Sequence, residues 1–135
     1  MMEKRFDPIK NKSAEIIEAI MQSPDIPNDE SFQFKIRLAV EEAVENVVRY
    51  AYTEGMGWII VKTEIENNIL ILTLRDEGVP FDPLKKEDPD ITLSAEDREI
   101  GGLGIFLCKQ LMDKVSYVYE NHCNVLQMEK KLPNK

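Results

Sequence analysis

The clearest structural element in the sequence lies in IRLAVEEAVENVVRYA, residues 36–51. Its apolar residues recur every three or four positions, which is the spacing of one face of an α-helix: Ile36, Val40, Ala43, Val47 and Ala51. The pattern predicts a long helix over roughly residues 31–52, with this stripe against the core. Asn28 or Ser31 is expected to cap its N-terminus, because either side chain can accept a hydrogen bond from the first turn.

Shorter elements are predicted on both sides of this helix. A strand over residues 3–8 and a helix over Ser13–Met21, with Ser13 as its N-cap, precede it. Two hairpins with a helix between them follow, and their ranges are 58–65 with 69–75, then 101–112, then 115–120 with 125–132. This order predicts an α+β fold, a two-layer α/β sandwich in which a mixed, mostly antiparallel sheet carries helices on one face.

The composition limits the classes of function. At 135 residues the chain suits one domain over residues 1–135. Its 25 acidic and 17 basic residues argue against direct nucleic-acid binding, which usually needs a basic surface. No apolar run approaches the roughly 18 residues of a membrane helix, and no signal-peptide pattern begins the chain, so we expect a cytoplasmic protein without membrane contact. Cys108, Cys123 and the single histidine, His122, lack the spacing of a metal site.

The polar face of the long helix carries the first candidate functional block, Glu42-Ala43-Val44-Glu45-Asn46. Glu42 and Asn46 are four residues apart and share a face, and Arg49 falls on the same face in projection. A carboxylate can polarise a hydroxyl group, an amide oxygen suits Mg²⁺, and a guanidinium suits phosphate. The alternative is a solvated helix face with a Glu45–Arg49 ion pair.

The second block, Asp76-Glu77-Gly78-Val79-Pro80, follows the second strand of the first predicted hairpin. A carboxylate at a strand end can accept a hydrogen bond from an adenine amino group, and a glycine lets the backbone approach a planar base. The alternative is an ordinary Asp-x-Gly turn.

The third block, Gly101-Gly102-Leu103-Gly104, opens an apolar helix. Backbone N–H groups at a helix N-terminus favour phosphate, although glycines can equally serve close packing. The block is not a P-loop, because no Gly-Lys-Ser or Gly-Lys-Thr follows, and it follows a loop rather than the strand of a Rossmann turn. The polar, proline-rich segment before it is predicted to belong to a lid over about residues 81–104.

Together and in this order, the blocks resemble the N, G1 and G2 boxes of the GHKL ATPases, the histidine-kinase-like proteins with the Bergerat ATP-binding fold. More narrowly, the chain is similar to the anti-sigma-factor serine/threonine kinases, a single-domain branch that works with STAS-domain antagonists. The likeness covers roughly residues 31–131 and extends to Leu111-Met112-Asp113, Tyr117 and residues 124–130. Pro80 stands where the broader superfamily has a second glycine.

The resemblance implies an ATP site with Mg²⁺ and a role for each matching residue. Glu42 is implied as the catalytic base, Asn46 as the Mg²⁺ ligand, and Asp76 as the partner of the adenine amino group with Gly78 beside the base. The remaining residues implied to contact ATP are Arg49, Tyr50, Gly101, Gly102, Leu103 and Gly104.

The resemblance also implies a bacterial regulator of transcription. Such a protein phosphorylates a serine or threonine of a STAS-domain anti-sigma-factor antagonist, binds a sigma factor and forms a homodimer. The alternative is a non-catalytic module that holds ATP or ADP and regulates a target other than a sigma factor, although Glu42 would then have no role. A histidine-kinase fragment is disfavoured, because His122 lies between the last two strands rather than on a dimerisation helix.

Overall fold

Three α-helices and five strands make up the part of the chain that this computed structural model describes, residues 1–85 and 102–133. Two short 3₁₀ turns, Thr53–Gly55 and Pro83–Lys85, accompany them. The elements are β1 (Met2–Phe6), α1 (Ser13–Met21), α2 (Glu30–Tyr50), β2 (Ile59–Glu66), β3 (Ile69–Asp76), α3 (Gly102–Leu111), β4 (Lys114–Glu120) and β5 (Cys123–Lys131). The helices and strands predicted from the sequence are therefore present, with ends shifted by one or two residues.

The five strands form one sheet in the order β1-β2-β3-β5-β4. Every pairing between these strands is antiparallel, so the α+β prediction is confirmed and the described sheet has no parallel part. After β3 the chain passes through α3 and re-enters the sheet at its edge as β4. As a result β5, and not β4, lies beside β3, and Asp76 faces Asn124 across that pair.

The hydrophobic core lies between one face of the sheet and the helices. Strand side chains alternate between the two faces, and the residues facing the helices are fully or almost fully buried: Ile59, Val61, Leu70, Leu72, Leu74, Leu126 and Met128. Helix α2 supplies the opposite surface with Ile36, Val40 and Ala43, as its spacing predicts. Burying these side chains fixes which face of α2 points away from the core.

The structure corrects both predicted helix caps. Asp29 caps α2, since its Oδ1 accepts a hydrogen bond from the Phe32 N–H at 2.8 Å, and neither Asn28 nor Ser31 does so. Ser13 is the first helical residue of α1, and the N-cap position belongs to Lys12, which makes no side-chain cap bond. Several polar residues in a row precede each helix, so propensity alone does not choose among them.

Tight turns of the same kind close both hairpins. Asn67 and Asn68 have φ angles of 52° and 65°, and Asn121 and His122 have 53° and 63°. Two successive residues with positive φ are typical of the turn that matches the twist of antiparallel strands, and asparagine tolerates this conformation well. The predicted hairpins are thereby confirmed.

Among the described residues, no helix is both long enough and apolar enough to cross a membrane.

Candidate nucleotide-binding site

Two adjoining clefts open where the C-terminal half of α2 meets the sheet and α3. Both are lined by Asn46, Tyr50 and Leu126. We call the first the adenine-side cleft, after the ligand that the sequence predicts for Asp76. It spans about 360 Å³, open solvent included, and is further lined by Val47, Ala51, Asp76, Val79, Phe81, Pro83, Tyr117 and Asn124. We call the second the acidic cleft. It spans about 390 Å³, open solvent included, and is further lined by Glu42, Ala43, Glu45, Arg49, Ile105 and Cys108. The structure thus brings the first two sequence blocks to one continuous site.

Asp76 is a buried carboxylate at the inner wall of the adenine-side cleft. It ends β3 on the same face as Leu74, and its exposed fraction is 4%. Its Oδ1 accepts two hydrogen bonds, from the Gly78 N–H and from the Asn124 side-chain amide, both at 2.9 Å. Burial raises the pKa of Asp76, and these two hydrogen bonds act in the opposite direction.

The second oxygen of Asp76 is available to a ligand. Among the described residues, no group donates a hydrogen bond to Oδ2. These residues contain no fully buried side-chain nitrogen or oxygen without a partner, so Oδ2 is not fully buried. Oδ2 is therefore an accessible acceptor in a largely apolar cleft. An exocyclic amino group is a suitable donor for such an acceptor.

Gly78 holds the loop after β3 against the end of α2. A Cβ at this buried position would overlap the backbone of Ala51, including its carbonyl oxygen. The same carbonyl accepts a hydrogen bond from the Val79 N–H at 2.9 Å. The close approach that requires a glycine here is thus to Ala51, a contact that the sequence did not indicate.

Tyr52 fastens the other side of the same loop. Its hydroxyl donates to the Trp58 carbonyl at 2.6 Å and accepts from the Glu77 N–H at 2.7 Å. Burial raises the pKa of Tyr52, and the neighbouring Asp76 charge adds to this rise. The hydroxyl therefore stays protonated and joins the segment before β2 to the residue after Asp76.

Asn124 is the central polar residue of the adenine-side cleft, and the sequence did not assign it a role. Its exposed fraction is 7%, and it lies on the inward face of β5 with Leu126. Its side-chain amide bonds Asp76, two loop carbonyls, the Phe81 N–H and the Tyr117 hydroxyl. The only sequence signal was a polar residue at an inward position of an alternating strand.

An aromatic pair walls the adenine-side cleft. The rings of Tyr50 and Phe81 stack with centroids 5.6 Å apart and an interplanar angle of 29°. Tyr50 is 40% exposed, so this wall is open to solvent on one side. A flat apolar surface beside an accessible carboxylate oxygen suits a planar heterocycle with an amino group.

The acidic cleft collects the polar face of α2. Glu42, Glu45, Asn46 and Arg49 line it together, as the helical spacing predicts. Within the described residues, Arg49 forms no ion pair with Glu45, so the exposed pair considered as the alternative is absent. The polar stripe of α2 therefore lines a cleft, and its guanidinium is not committed to Glu45.

Cys108 closes the floor of the acidic cleft beside Glu42. Its thiol is buried and donates to the Ala39 carbonyl at 3.3 Å, which ties α3 to α2. Burial raises the pKa of Cys108 to about 12, and the Glu42 charge adds to the rise. The thiol is thus neutral and inert at physiological pH.

The glycine block is described only in part. Gly102, Leu103 and Gly104 form the first turn of α3, whose Ile105 lines the acidic cleft. The predicted ligand Gly101 and most of the predicted lid, residues 86–101, lie outside the described residues. The first N–H groups of a helix have no partner within that helix, which is why the sequence predicts phosphate contacts at this position.

Within residues 1–85 and 102–133, no group of three or more His, Cys, Asp or Glu side chains could hold a metal ion. The amide oxygen of Asn46, in the wall common to both clefts, is a suitable single protein ligand for Mg²⁺.

Comparisons with known proteins agree on one family. The family described as "Histidine kinase-like ATPase domain" matches residues 11–130. Proteins named "Serine-protein kinase RsbW" from Bacillus thuringiensis (strain Al Hakam) and Bacillus cereus (strain 03BB102) are 30% identical over 137 residues, covering 93% of this chain and 86% of theirs.

Solved structures share the fold. The catalytic domain of histidine kinase ThkA is similar with a TM-score of 0.57 and 16% identity, covering 99% of this chain and 100% of that one. A structure of RsbU and RsbW domains from Mycobacterium tuberculosis gives a TM-score of 0.65 at 16% identity, covering 100% of this chain and 34% of that one. At these identities the likeness concerns the fold alone.

Proposed function

The chain belongs to the histidine kinase-like ATPase family, and from this premise we propose that it is an ATP-dependent protein kinase acting on serine or threonine. The observation that carries the proposal is the position of Glu42 in the acidic cleft, which adjoins the cleft of Asp76 through Asn46 and Tyr50. The relatives named serine-protein kinase, at 30% identity, support the same reaction.

ATP would enter with its base in the adenine-side cleft. Oδ2 of Asp76, which has no partner among the described residues, would accept a hydrogen bond from the adenine amino group. Gly78 would lie beside the base, and Tyr50 would pack against it with its stacked partner Phe81. The direction of this hydrogen bond favours adenine over guanine, whose corresponding group is an acceptor.

The phosphates would extend into the acidic cleft. Asn46 would hold Mg²⁺ together with the phosphate oxygens, and Arg49 would pair with a phosphate. Backbone N–H groups of Gly101, Gly102, Leu103 and Gly104 would complete the cradle, and the position of Ile105 of α3 in the lining of the acidic cleft supports this proposal. Bound Mg²⁺ would supply neutralisation of the phosphate charge during transfer.

Glu42 would act as the catalytic base. Its carboxylate would accept the proton of the acceptor hydroxyl while that oxygen forms a bond to the γ-phosphorus and the bond to the β,γ-bridging oxygen breaks. ADP then leaves with the electron pair of that bond. Cys108 does not compete for the proton, because its pKa of about 12 keeps the thiol protonated.

The acceptor would be a STAS-domain anti-sigma-factor antagonist. The protein would also act as an anti-sigma factor in the cytoplasm, as a homodimer that holds a sigma factor and makes no direct contact with nucleic acid. The relatives named RsbW support this partner-switching role, and the net charge of −8 agrees with protein rather than nucleic-acid partners.

The test is a transfer assay with Mg-ATP labelled at the γ-phosphate and the STAS protein from a neighbouring gene as acceptor. We expect label on serine or threonine of the acceptor. ATP binding without any transfer would instead support the non-catalytic module, which holds ATP or ADP and changes partners without phosphoryl transfer.

A further inference from the structure

Every hydrogen-bonding position of the Asn124 side chain is used inside the protein. Its Nδ2 donates to Asp76 Oδ1 at 2.9 Å, to the Val79 carbonyl at 2.9 Å and, more weakly, to the Gly78 carbonyl at 3.4 Å. Its Oδ1 accepts from the Phe81 N–H at 3.1 Å and from the Tyr117 hydroxyl. An amide has two N–H donors and two lone pairs, so no capacity is left for a ligand.

The strand register explains why Asn124 can control Asp76. The two residues are partners across the β3–β5 pair, and both face the helices. Because Asn124 and Gly78 both occupy Oδ1, the rotation of the carboxylate is fixed and Oδ2 is the remaining acceptor. The amide selects which oxygen of Asp76 the cleft presents.

The same amide also shapes the cleft wall. Its bonds to the carbonyls of Gly78 and Val79 and to the N–H of Phe81 hold the loop after β3 at three points. Val79 and Phe81 line the adenine-side cleft. One side chain therefore sets both the acceptor and the apolar surface beside it.

We propose that Asn124 is a positioning residue that sets adenine selectivity: it turns the Asp76 carboxylate so that Oδ2 alone is offered to the base, and it holds the loop that walls the base. The proposal rests on the proposed function, since it presumes that ATP binds in the adenine-side cleft. Because the hydrogen-bonding groups of Asn124 are used within the protein, its proposed effect on binding acts through Asp76 and the loop.

The surroundings of Asp76 make its ionisation depend on this amide. Burial raises the pKa of the carboxyl, and the hydrogen bonds from Asn124 and Gly78 oppose that rise, the first of these more strongly. Among the described residues, the titratable groups whose pKa the Asp76 charge affects are the hydroxyls of Tyr52 and Tyr117, and burial raises the pKa of both, so both are neutral. In the described part of the chain, no lysine or arginine contributes to the Asp76 shift.

Two variants of Asn124 should respond to pH in opposite directions. Asn124→Leu removes the amide donor, so the pKa of Asp76 rises further and ATP affinity is lost at a higher pH than in the wild type as the pH falls. Asn124→Asp keeps the shape but adds a carboxylate that must share a proton with Asp76. Its ATP affinity therefore falls as the pH rises and both groups ionise.

The experiment measures the dissociation constants of ATP and GTP by calorimetry across pH for the wild type and both variants. Gln127→Glu is the matched control for the added charge, since Gln127 lies on β5 but faces away from the helices. At neutral pH we expect ATP affinity to fall about tenfold to a hundredfold in both Asn124 variants, as for loss of a hydrogen bond to a charged group, and the preference for ATP over GTP to shrink. The control should match the wild type.

The outcomes separate this inference from the function on which it rests. If the wild type binds no ATP, the proposed function fails. If the wild type prefers ATP and both variants keep its pH profile and its ATP-to-GTP ratio, with only a lower melting temperature, Asn124 is merely structural and the inference is overturned. If Asn124→Leu does not fold, the near-isosteric Asn124→Asp is the test. A fall in its ATP affinity with rising pH supports the inference, and a wild-type pH profile overturns it.

Discussion

Asp76 combines two functions in one carboxylate, because its two oxygens lie in different environments. Oδ1 is committed to Gly78 and Asn124 within the protein. Oδ2 remains available in the adenine-side cleft, in a setting where burial raises the pKa. Oδ2 is accessible from the cleft, so a ligand can place a donor against it, and a hydrogen bond to a carboxylate in a largely apolar cleft is stronger than one at the open surface.

Replacing this carboxylate tests its role directly. Asp76→Asn keeps the shape and can still accept from the Gly78 N–H, but it places an N–H₂ group where the adenine amino group would donate. We expect ATP affinity to fall about tenfold to a hundredfold, since two donors would face each other. Calorimetric titration with ATP measures the loss.

The control for this variant is Asp113→Asn. Asp113 also accepts a backbone hydrogen bond, from the Lys131 N–H at 2.7 Å, but it is exposed and lies outside both clefts. Its ATP affinity should equal that of the wild type. Unchanged ATP affinity in Asp76→Asn would show that Asp76 does not bind adenine.

Helix α2 determines which residues meet in the site, because one burial pattern fixes all of its faces. With Ile36, Val40 and Ala43 in the core, the face bearing Glu42 and Asn46 lines the acidic cleft. This placement could be predicted from sequence, since it depends only on helical periodicity. The contacts of Asn124 and Tyr52 could not, because they depend on strand pairing and loop paths between residues distant in sequence.

The hydroxyl of Tyr52 holds the loop after β3 through its hydrogen bonds. Tyr52→Phe removes the hydroxyl that joins the Trp58 carbonyl to the Glu77 N–H. We expect the free energy of unfolding to fall by about 1–2 kcal/mol, because two hydrogen bonds of ordinary strength are lost. Urea unfolding at neutral pH provides the measurement.

Tyr119→Phe is the control for Tyr52→Phe. Tyr119 is 41% exposed and lies on the edge strand β4. Losing its hydroxyl should change stability by less than about 0.5 kcal/mol, as for most surface substitutions. Equal effects in the two variants would mean that the Tyr52 bridge does not order the loop.

The stability of the whole molecule and its affinity for ATP should depend on pH in opposite directions through Asp76. A pKa raised in the folded state means that the folded protein binds the proton more tightly than the unfolded chain. This group therefore adds stability at pH below its unfolded pKa, and that contribution is lost as the pH rises through the folded pKa. If ATP binds through Asp76 as we propose, its binding needs the ionised carboxylate and weakens as the pH falls through the same range.

Comparing the wild type with Asp76→Asn isolates this linkage. The difference in unfolding free energy should shift in favour of the wild type as the pH is lowered from neutral to about 4, near the ordinary range of an aspartate. Urea unfolding of both proteins at each pH measures it. A difference that does not vary with pH would show that the Asp76 pKa is the same in the folded and unfolded chain.

The general architecture was accessible from sequence for a physical reason. Alternating strands, a periodic helix and glycine or asparagine turns are local patterns, and they gave the α+β class and nearly all element ranges. The helix caps were wrong because several polar residues compete at each helix start, and Asp29 prevailed through its bond to the Phe32 N–H. The role of Gly78 against Ala51 needed the tertiary structure.

Glu42 is the residue that would make the proposed nucleotide site a kinase site, and a phosphoryl-transfer assay tests this role. Transfer of labelled γ-phosphate to the STAS-domain acceptor is compared in the wild type, Glu42→Gln and the neighbouring control Glu41→Gln, whose carboxylate lies 3.9 Å from Arg37 outside the clefts. We predict that Glu42→Gln slows transfer about a hundredfold to ten-thousandfold with unchanged ATP affinity, and that the control transfers normally. Transfer by Glu42→Gln at the wild-type rate would show that Glu42 is not the catalytic base.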